Sequence, residues 1–190
     1  FEKDYQMSEA NFKEIFELTK LAPSAYNLQF TNYLVVTDEE KKEKVREISY
    51  NQYKIHSASG VVIVLGNRNS IETPEVDKIY RPLLQLKMMD EVDFDTTMQT
   101  IENYAQGLKQ DKHALDLELT RNAGIHAMLF MMAAKNLGYD TCPMHVHNVD
   151  ALRNAFNIPA HLEPIMMITI GKSVDKTRTR CIYLGQSLIV

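Results

Sequence analysis

Residues 22–45 read APSAYNLQFTNYLVVTDEEKKEKV, and this stretch is the strongest indication of the fold because it holds a helix end, a polar loop, a strand and a helix start. Pro23 ends the helix that is predicted to begin at the N-cap Ser8, since proline cannot continue a helix. Residues 32–37 are rich in residues that favour strands, and Asp38 is a good N-cap for the charged helix that follows. The stretch therefore predicts a helix, a loop, a strand and a second helix in succession.

Apolar strands recur beyond this stretch. Residues 61–65 and 164–171 are continuous apolar runs, the pattern of a strand buried on both faces. Asn148 caps a short helix before the second run. Helices around a few apolar strands favour an α+β fold, and the length of the chain suits a single domain, residues 1–190.

The region between these strands is mostly helical. Thr73 looks like an N-cap with Pro74 in the first turn, and the helical pattern continues to Gly138 with a break around residues 90–95. The helix before Gly138 is apolar on almost every side. Such a helix requires cover on every side.

Composition and charge exclude several classes of protein. A net charge of -4 and a pI of about 5.9 give no global attraction to nucleic acid or to acidic membranes. The most apolar run, residues 123–137, is shorter than the roughly 20 residues that cross a bilayer. Two cysteines, Cys142 and Cys181, cannot define a disulfide framework, which favours the cytoplasm.

Because the chain begins at Phe1 rather than at methionine, residues are expected to precede it.

The polar loop is the first candidate for a binding site. Ser24 offers a hydroxyl, Asn27 and Gln29 offer amide donors and acceptors, and Pro23 fixes the backbone at the loop entrance. A rigid row of neutral hydrogen-bonding groups suits a planar heterocycle or a phosphate ester. The alternative is that Ser24 and Asn27 cap a helix end and satisfy the loop backbone.

Other common sites are not indicated by the sequence. No G-x-G-x-x-G follows a strand, so a Rossmann dinucleotide site is not predicted. Cys142, His145 and His147 have a spacing that matches no common zinc motif, and no metal is predicted. No Ser/His/Asp constellation has a recognisable spacing for nucleophilic catalysis.

Five motifs follow one another along the chain. The first is the loop and strand at residues 22–45, and the second is Asn51 and Lys54, which form an Asn-x-x-Lys motif before a strand. The others are GIHAMLFMMAAKNLGYDTCPM at residues 124–144, LRNAFNIPAHLEPIMMITIGK at residues 152–172, and the basic pair Arg178 and Arg180. Together these motifs resemble the nitroreductase family of FMN-dependent oxidoreductases, in which a Pro-Ser-x-x-Asn-x-Gln loop precedes a strand and the other motifs follow in the same order.

The resemblance implies a central mixed sheet surrounded by helices, with the long central helix at a homodimer interface. It also implies an enzyme that transfers electrons from NAD(P)H through FMN to nitroaromatic or quinone acceptors in two half-reactions. Because the flavin carries that chemistry, no side-chain acid or base is expected to be catalytic. The sequence does not indicate the physiological acceptor or a choice between NADH and NADPH.

The resemblance assigns a set of cofactor-binding residues. They are Pro23, Ser24, Asn27, Gln29, Asn51, Lys54, Pro143, Met144, His145, Arg178 and Arg180. The polar loop of one subunit is expected to share each FMN with Asn51, Lys54 and the basic pair of the other. The charge of Lys54 would stabilise the anionic reduced flavin, and the basic pair would clamp the phosphate. Backbone groups at residues 143–145 are expected near flavin N5.

Two departures from the family pattern bear on these expectations. The family's basic motif would lie upstream of Phe1. Val146 stands where the family often has glycine, and a β-branched residue opposes positive φ, so this loop is predicted to take a different path past the flavin ring. This motivates an alternative, a flavin-binding protein for storage or sensing without efficient reductase turnover. A third possibility is an interaction domain without a cofactor.

Overall fold

Residues 1–174 are described by the computed structural model. The helices are α1 (Glu9–Thr19), α2 (Glu39–Ile48), α3 (Tyr53–Ser57), α4 (Thr73–Gln85), α5 (Glu91–Gln110), α6 (Lys112–Asn136) and α7 (Val149–Phe156), and the strands are β1 (Thr31–Val36), β2 (Gly60–Asn67), β3 (Asp140–His145) and β4 (Leu162–Gly171). Short 3-10 turns occur at Ala25–Asn27 and Arg68–Ile71. Arg178 and Arg180, the predicted phosphate ligands, lie outside the described residues.

Predicted side-chain caps begin three of the helices, and a glycine follows the end of a fourth. Ser8 and Asn11 form a capping box at α1, in which the Asn11 N–H donates to Ser8 Oγ at 3.3 Å. Asp38 and Asn148 accept backbone N–H bonds at the starts of α2 and α7. Gly138, at φ 85°, follows α6 in a conformation that glycine adopts at low cost. These predicted caps are confirmed, whereas α1 ends at Thr19, four residues before the predicted end at Pro23.

The long helical region differs from its predicted boundaries. Thr73 is the first residue of α4 rather than its N-cap. The first break covers residues 86–90 rather than residues 90–95, because the carboxylate of Asp90 caps α5. A second break, not predicted, occurs at Asp111, whose carboxylate caps α6. Each acidic residue begins a new helix by accepting backbone N–H bonds.

One four-stranded sheet runs through the fold in the order β1-β2-β4-β3. All its pairings are antiparallel. The α+β class is confirmed, whereas the expected mixed character of the sheet is not found, because no parallel pair occurs within residues 1–174. β3 was not predicted as a strand, since Pro143 lies inside it; proline is tolerated there because β3 is an edge strand.

Helices cover both faces of the sheet. On one face, α1 and α6 pack Ile15 and Phe130 in a cluster with Val62. On the other face, Leu152 of α7 shares a cluster with Ile63, together with residues of α2 and α3. Successive residues of β2 therefore enter different cores, which is the reason for its continuous apolar sequence.

A third apolar cluster lies between α4, α5, α6 and the loop before β1. It joins Leu28 and Phe30 of the loop to Ile101 of α5 and Leu119 of α6. The predicted binding loop is therefore built into a core of its own.

Helix α6 is 25 residues long and leaves one apolar face uncovered. Ile125, Met128 and Met132 are exposed, and their spacing places them in a row on the same face of the helix. Within residues 1–174, no helix combines the length and the apolar character needed to cross a bilayer.

Candidate functional site

The loop before β1 has an unusual backbone. Tyr26, Asn27 and Gln29 have positive φ values of 48°, 54° and 51°. A left-handed conformation costs roughly 1–2 kcal/mol for a residue with a side chain. Ser24 Oγ accepts a hydrogen bond from the Gln29 N–H at 2.9 Å, closing the loop. Such a conformation persists only when its surroundings hold it.

Buried and exposed side chains alternate along the second half of the loop. Leu28 and Phe30 are completely buried in the third apolar cluster. Asn27 and Gln29, which flank Leu28, are exposed, as is Pro23. The apolar residues anchor the loop, and the two amides face outward as the sequence interpretation requires.

Two hydrogen bonds from distant helices hold the first half of the loop. Tyr80 of α4 donates its hydroxyl to the Tyr26 carbonyl at 2.6 Å. The Ala25 N–H donates to Asn122 Oδ1 of α6 at 3.2 Å. Asn122 was not among the predicted site residues. Its only sequence signal is Glu118, four positions earlier and so on the same face of α6.

Beside the loop lies a cleft of about 490 Å³. Its lining includes Asn27, Gln29, Thr31, Tyr33 and His126. The Tyr33 hydroxyl and His126 Nδ1 are 3.2 Å apart. Burial lowers the pKa of His126 and raises the pKa of Tyr33, so both side chains are neutral at pH 7. Within residues 1–174, His126 Nε2 and Thr31 Oγ1 are buried without a hydrogen-bond partner.

The second predicted group lies at the start of α3 and beside β3. Lys54 is exposed, and its Nζ is 3.2 Å from Cys142 Sγ. Asn51 is also exposed and has a positive φ of 55°, with its N–H bonded to the Arg46 carbonyl at 2.9 Å. The structure therefore brings the Asn-x-x-Lys motif next to the strand that contains Pro143.

In β3 the predicted residues differ in what they can present to a ligand. The side chain of Met144 is buried in the core formed with α2, α3 and α7, so only its backbone is available to a ligand. Pro143 and His145 are exposed on the edge strand. Val146 is buried in the same core as Met144 and has no positive φ. A different path of this segment past a flavin ring stays a prediction.

The two groups lie on opposite edges of the sheet. One row of cross-strand partners joins the two edges, and it consists of Tyr33 in β1, Val64 in β2, Met166 in β4 and His145 in β3. With strands about 4.8 Å apart, the backbones of the two edges are separated by roughly 14 Å. One copy of the chain thus presents the loop amides and the Lys54 group on different sides.

Exposed histidines lie close together at the end of β3. Within residues 1–174, no group of three or more His, Cys, Asp or Glu side chains could hold a metal ion. His145 and His147 are close, with ring centroids 5.2 Å apart, and Tyr50 packs against His147 at 4.8 Å. These ring contacts form an exposed aromatic surface beside Lys54.

Comparisons with known proteins agree with the fold and the motifs. The Nitroreductase family model matches residues 1–172. "Putative NAD(P)H nitroreductase MhqN" of Bacillus subtilis (strain 168) is 38% identical over 184 residues, covering 95% of this chain and 84% of that protein. The crystal structure of "putative nitroreductase ydfN" from Bacillus subtilis has a TM-score of 0.87 and 34% identity, covering 95% of this chain and 86% of that one.

A further solved structure carries a ligand. A "putative nitroreductase in complex with FMN" from Exiguobacterium sibiricum 255-15 has a TM-score of 0.85 and 26% identity, covering 97% of this chain and 87% of that one. The chain therefore belongs to the nitroreductase family of oxidoreductases.

Proposed function

We propose that the protein is an FMN-dependent oxidoreductase that takes electrons from NAD(P)H and reduces nitroaromatic or quinone acceptors. The observation that carries this proposal is the loop at residues 23–30, which holds Asn27 and Gln29 outward on buried apolar anchors. Family membership and the FMN complex of the Exiguobacterium relative support it. When bound, FMN supplies the chemistry by accepting a hydride and passing electrons to the acceptor.

The chemistry of the donor set fits a flavin. The amides of Asn27 and Gln29 can both donate and accept hydrogen bonds, as the polar edge of an isoalloxazine requires. Lys54 adds a positive charge on an exposed side chain, which would favour a flavin that gains negative charge on reduction. Arg178 and Arg180 are assigned to the phosphate by the family motif.

Three features support a homodimer with shared FMN sites. The loop amides and the Lys54 group lie on opposite edges of the sheet, so a second copy could complete each site. The exposed row of Ile125, Met128 and Met132 is an apolar face of the kind that stable interfaces bury. In the cleft beside the loop, His126 Nε2 has no hydrogen-bond partner among residues 1–174, and a second chain could supply one.

An FMN-binding protein without efficient turnover is the alternative. It is motivated by His145 and Val146 in place of the family's usual small residue, because bulky side chains would narrow the space over the flavin ring and block stacking of the nicotinamide. Because the side chain of Val146 is buried in the core, it does not support this argument, and only the exposed His145 remains as a narrowing group. The reductase proposal is therefore preferred.

The first experiment is reconstitution with FMN, removal of free flavin, and a visible spectrum. The expected result is retained flavin near one per chain, followed by bleaching with anaerobic NADH or NADPH and recovery of colour with a nitroaromatic or a quinone. Retained flavin that neither nucleotide reduces would favour the storage alternative. A colourless protein would contradict both and favour the interaction domain.

Sharing of the sites has its own test. Asn27→Ala and Lys54→Ala subunits are purified as verified heterodimers by using two affinity tags. If the loop and the lysine of one site come from different subunits, one site in the heterodimer is intact and the other carries both changes. Flavin binding in half of the sites is expected, whereas no recovery over the parent homodimers would contradict shared sites.

A further inference from the structure

A buried polar cluster connects α5, α6 and the loop that carries Asn27. Asn122 is 2% exposed and Glu118 is 7% exposed. The Asn122 Nδ2 group donates to Glu118 Oε1 and to the Glu118 carbonyl, each at 2.8 Å. On its other side, Asn122 Oδ1 accepts the Ala25 N–H at 3.2 Å. The side chain of Asn122 thus bridges α6 and a loop 97 residues away.

Glu118 also contacts two other side chains. Arg121 forms an ion pair with its Oε2. Burial, and after it the charge of Glu118, raises the pKa of Tyr104 of α5, so the phenol keeps its proton at pH 7. The ring of Tyr104 packs against the ring of Tyr26 at 4.9 Å between centroids. Glu118 therefore reaches the loop by two routes, through Asn122 and through Tyr104.

The carboxylate decides which end of the Asn122 amide faces the loop. An ionised carboxylate only accepts hydrogen bonds, so it requires the NH₂ end of Asn122. The oxygen end must then face the Ala25 N–H. The opposite orientation would place a donor against a donor and an acceptor against an acceptor, leaving buried groups unsatisfied.

We propose that Asn122 is a positioning residue for the flavin-binding loop, and that Glu118 fixes the orientation of its amide. The proposal rests on the function proposed above. The bond at Ala25 comes immediately before Tyr26 and Asn27, whose positive φ values require the loop to be held from outside. Loss of this bond releases the loop into more favourable backbone conformations and withdraws Asn27 from the ligand.

The test exchanges the donor and the acceptor. Asn122→Asp places two carboxylates side by side and removes the donor between them, and it should weaken FMN binding about ten- to a hundredfold. Adding Glu118→Gln restores the side-chain pair in reverse, because the amide introduced at position 118 donates to the carboxylate introduced at position 122, which still accepts the Ala25 N–H. The bond from the side chain at position 122 to the carbonyl at position 118 is not restored, so the double variant should recover at least about threefold in FMN affinity over Asn122→Asp without reaching the wild type. Rescue by a second change distinguishes positioning from general damage.

Controls separate this effect from folding. Asn136→Asp makes the same change at an exposed position in the last turn of α6 and should leave FMN binding unaltered. Ala25→Pro removes the same hydrogen bond from the loop side, and the extended backbone of Ser24 suits a following proline. Ala25→Pro should also weaken FMN binding at least about tenfold, and it decides the question if Asn122→Asp does not fold.

Amide hydrogen exchange of the flavin-free protein gives a readout that does not depend on FMN. Exchange at residues 25–29 should be faster in Asn122→Asp than in the wild type and should return in the double variant. Unchanged exchange, or a folded double variant as weak as the single one, would overturn the positioning role. A wild-type protein that retains no FMN would instead overturn the proposed function, and the exchange result would still judge the role of Asn122.

Discussion

Replacing Leu28 by alanine tests whether the loop amides depend on their buried anchor. Leu28 is 1% exposed and contributes its whole side chain to the third apolar cluster, between the exposed residues Asn27 and Gln29. A leucine-to-alanine change at so buried a site costs about 2–5 kcal/mol, since the loop and α5 can close the cavity only in part. For a protein of this size the melting temperature should fall by roughly 4–20 °C.

Two measurements separate stability from binding. Urea denaturation of the flavin-free protein gives the change in the free energy of unfolding, and quenching of FMN fluorescence at a temperature where the variant is folded gives the dissociation constant. We expect FMN to bind at least about tenfold more weakly, because the amides lose the backbone that orients them. The matched control is Leu86→Ala at a 70% exposed position, where stability should change by less than about 0.5 kcal/mol.

Either of two results would refute this reasoning. A destabilisation of less than about 1 kcal/mol would mean that the loop collapses into the cavity without cost. A large destabilisation with unchanged FMN affinity would mean that Asn27 and Gln29 are held by something other than the cluster.

Three other perturbations have defined outcomes. Ser8→Ala removes the capping box of α1 and should lower the free energy of unfolding by about 1 kcal/mol in urea denaturation, and an unchanged value would show that the cap is not needed. Burial lowers the pKa of His126 below its ordinary 6.5, so the contribution of the neutral His126 to stability is complete above pH 6.5 and declines as the pH falls below that value. Between about pH 7.5 and about pH 5.5, the urea midpoint of the wild type should therefore drop more than the urea midpoint of His126→Gln. Equal drops in the two proteins would contradict this prediction. Lys54→Met removes an exposed charge and should leave the free energy of unfolding unchanged. In a dye-coupled redox titration it should lower the midpoint potential of bound FMN by on the order of 30 mV. An unchanged potential would place Lys54 away from the flavin.

Local sequence signals predicted local structure well. The sequence identified three helix caps, namely Ser8, Asp38 and Asn148. Each has a side-chain oxygen directly before a segment with helical periodicity, where that oxygen can accept a backbone N–H of the first turn. β3 was missed because Pro143 weakens a strand pattern and only the pairing with β4 overrides that weakness. The boundaries between α4, α5 and α6 were displaced because acidic residues occur both inside helices and at their starts.

Residue patterns predicted which residue types the candidate site contains, and only the family resemblance supplied an expected arrangement between subunits. The family motifs identified the loop amides and Lys54, and the structure exposes all of them. Their placement on opposite edges of the sheet follows from strand order, which no local pattern contains. The sequence did not single out Asn122 and Glu118, because the group that Asn122 contacts, the Ala25 N–H, is 97 residues away. A polar pair in an apolar helix indicates a buried hydrogen-bond network, but it does not indicate which distant residue the network contacts.

The alternation of buried and exposed residues from Asn27 to Phe30 has a consequence for how the site can change during evolution. Most mutations destabilise the fold, and selection removes those that leave too little stability for function, a limit that applies to the buried Leu28 and Phe30. At positions 27 and 29 the side chains are in solvent, so the limit there comes from the backbone, whose positive φ disfavours β-branched residues. New ligand-facing groups can therefore arise there one substitution at a time among the residues that tolerate positive φ, while the anchors keep the shape of the loop constant.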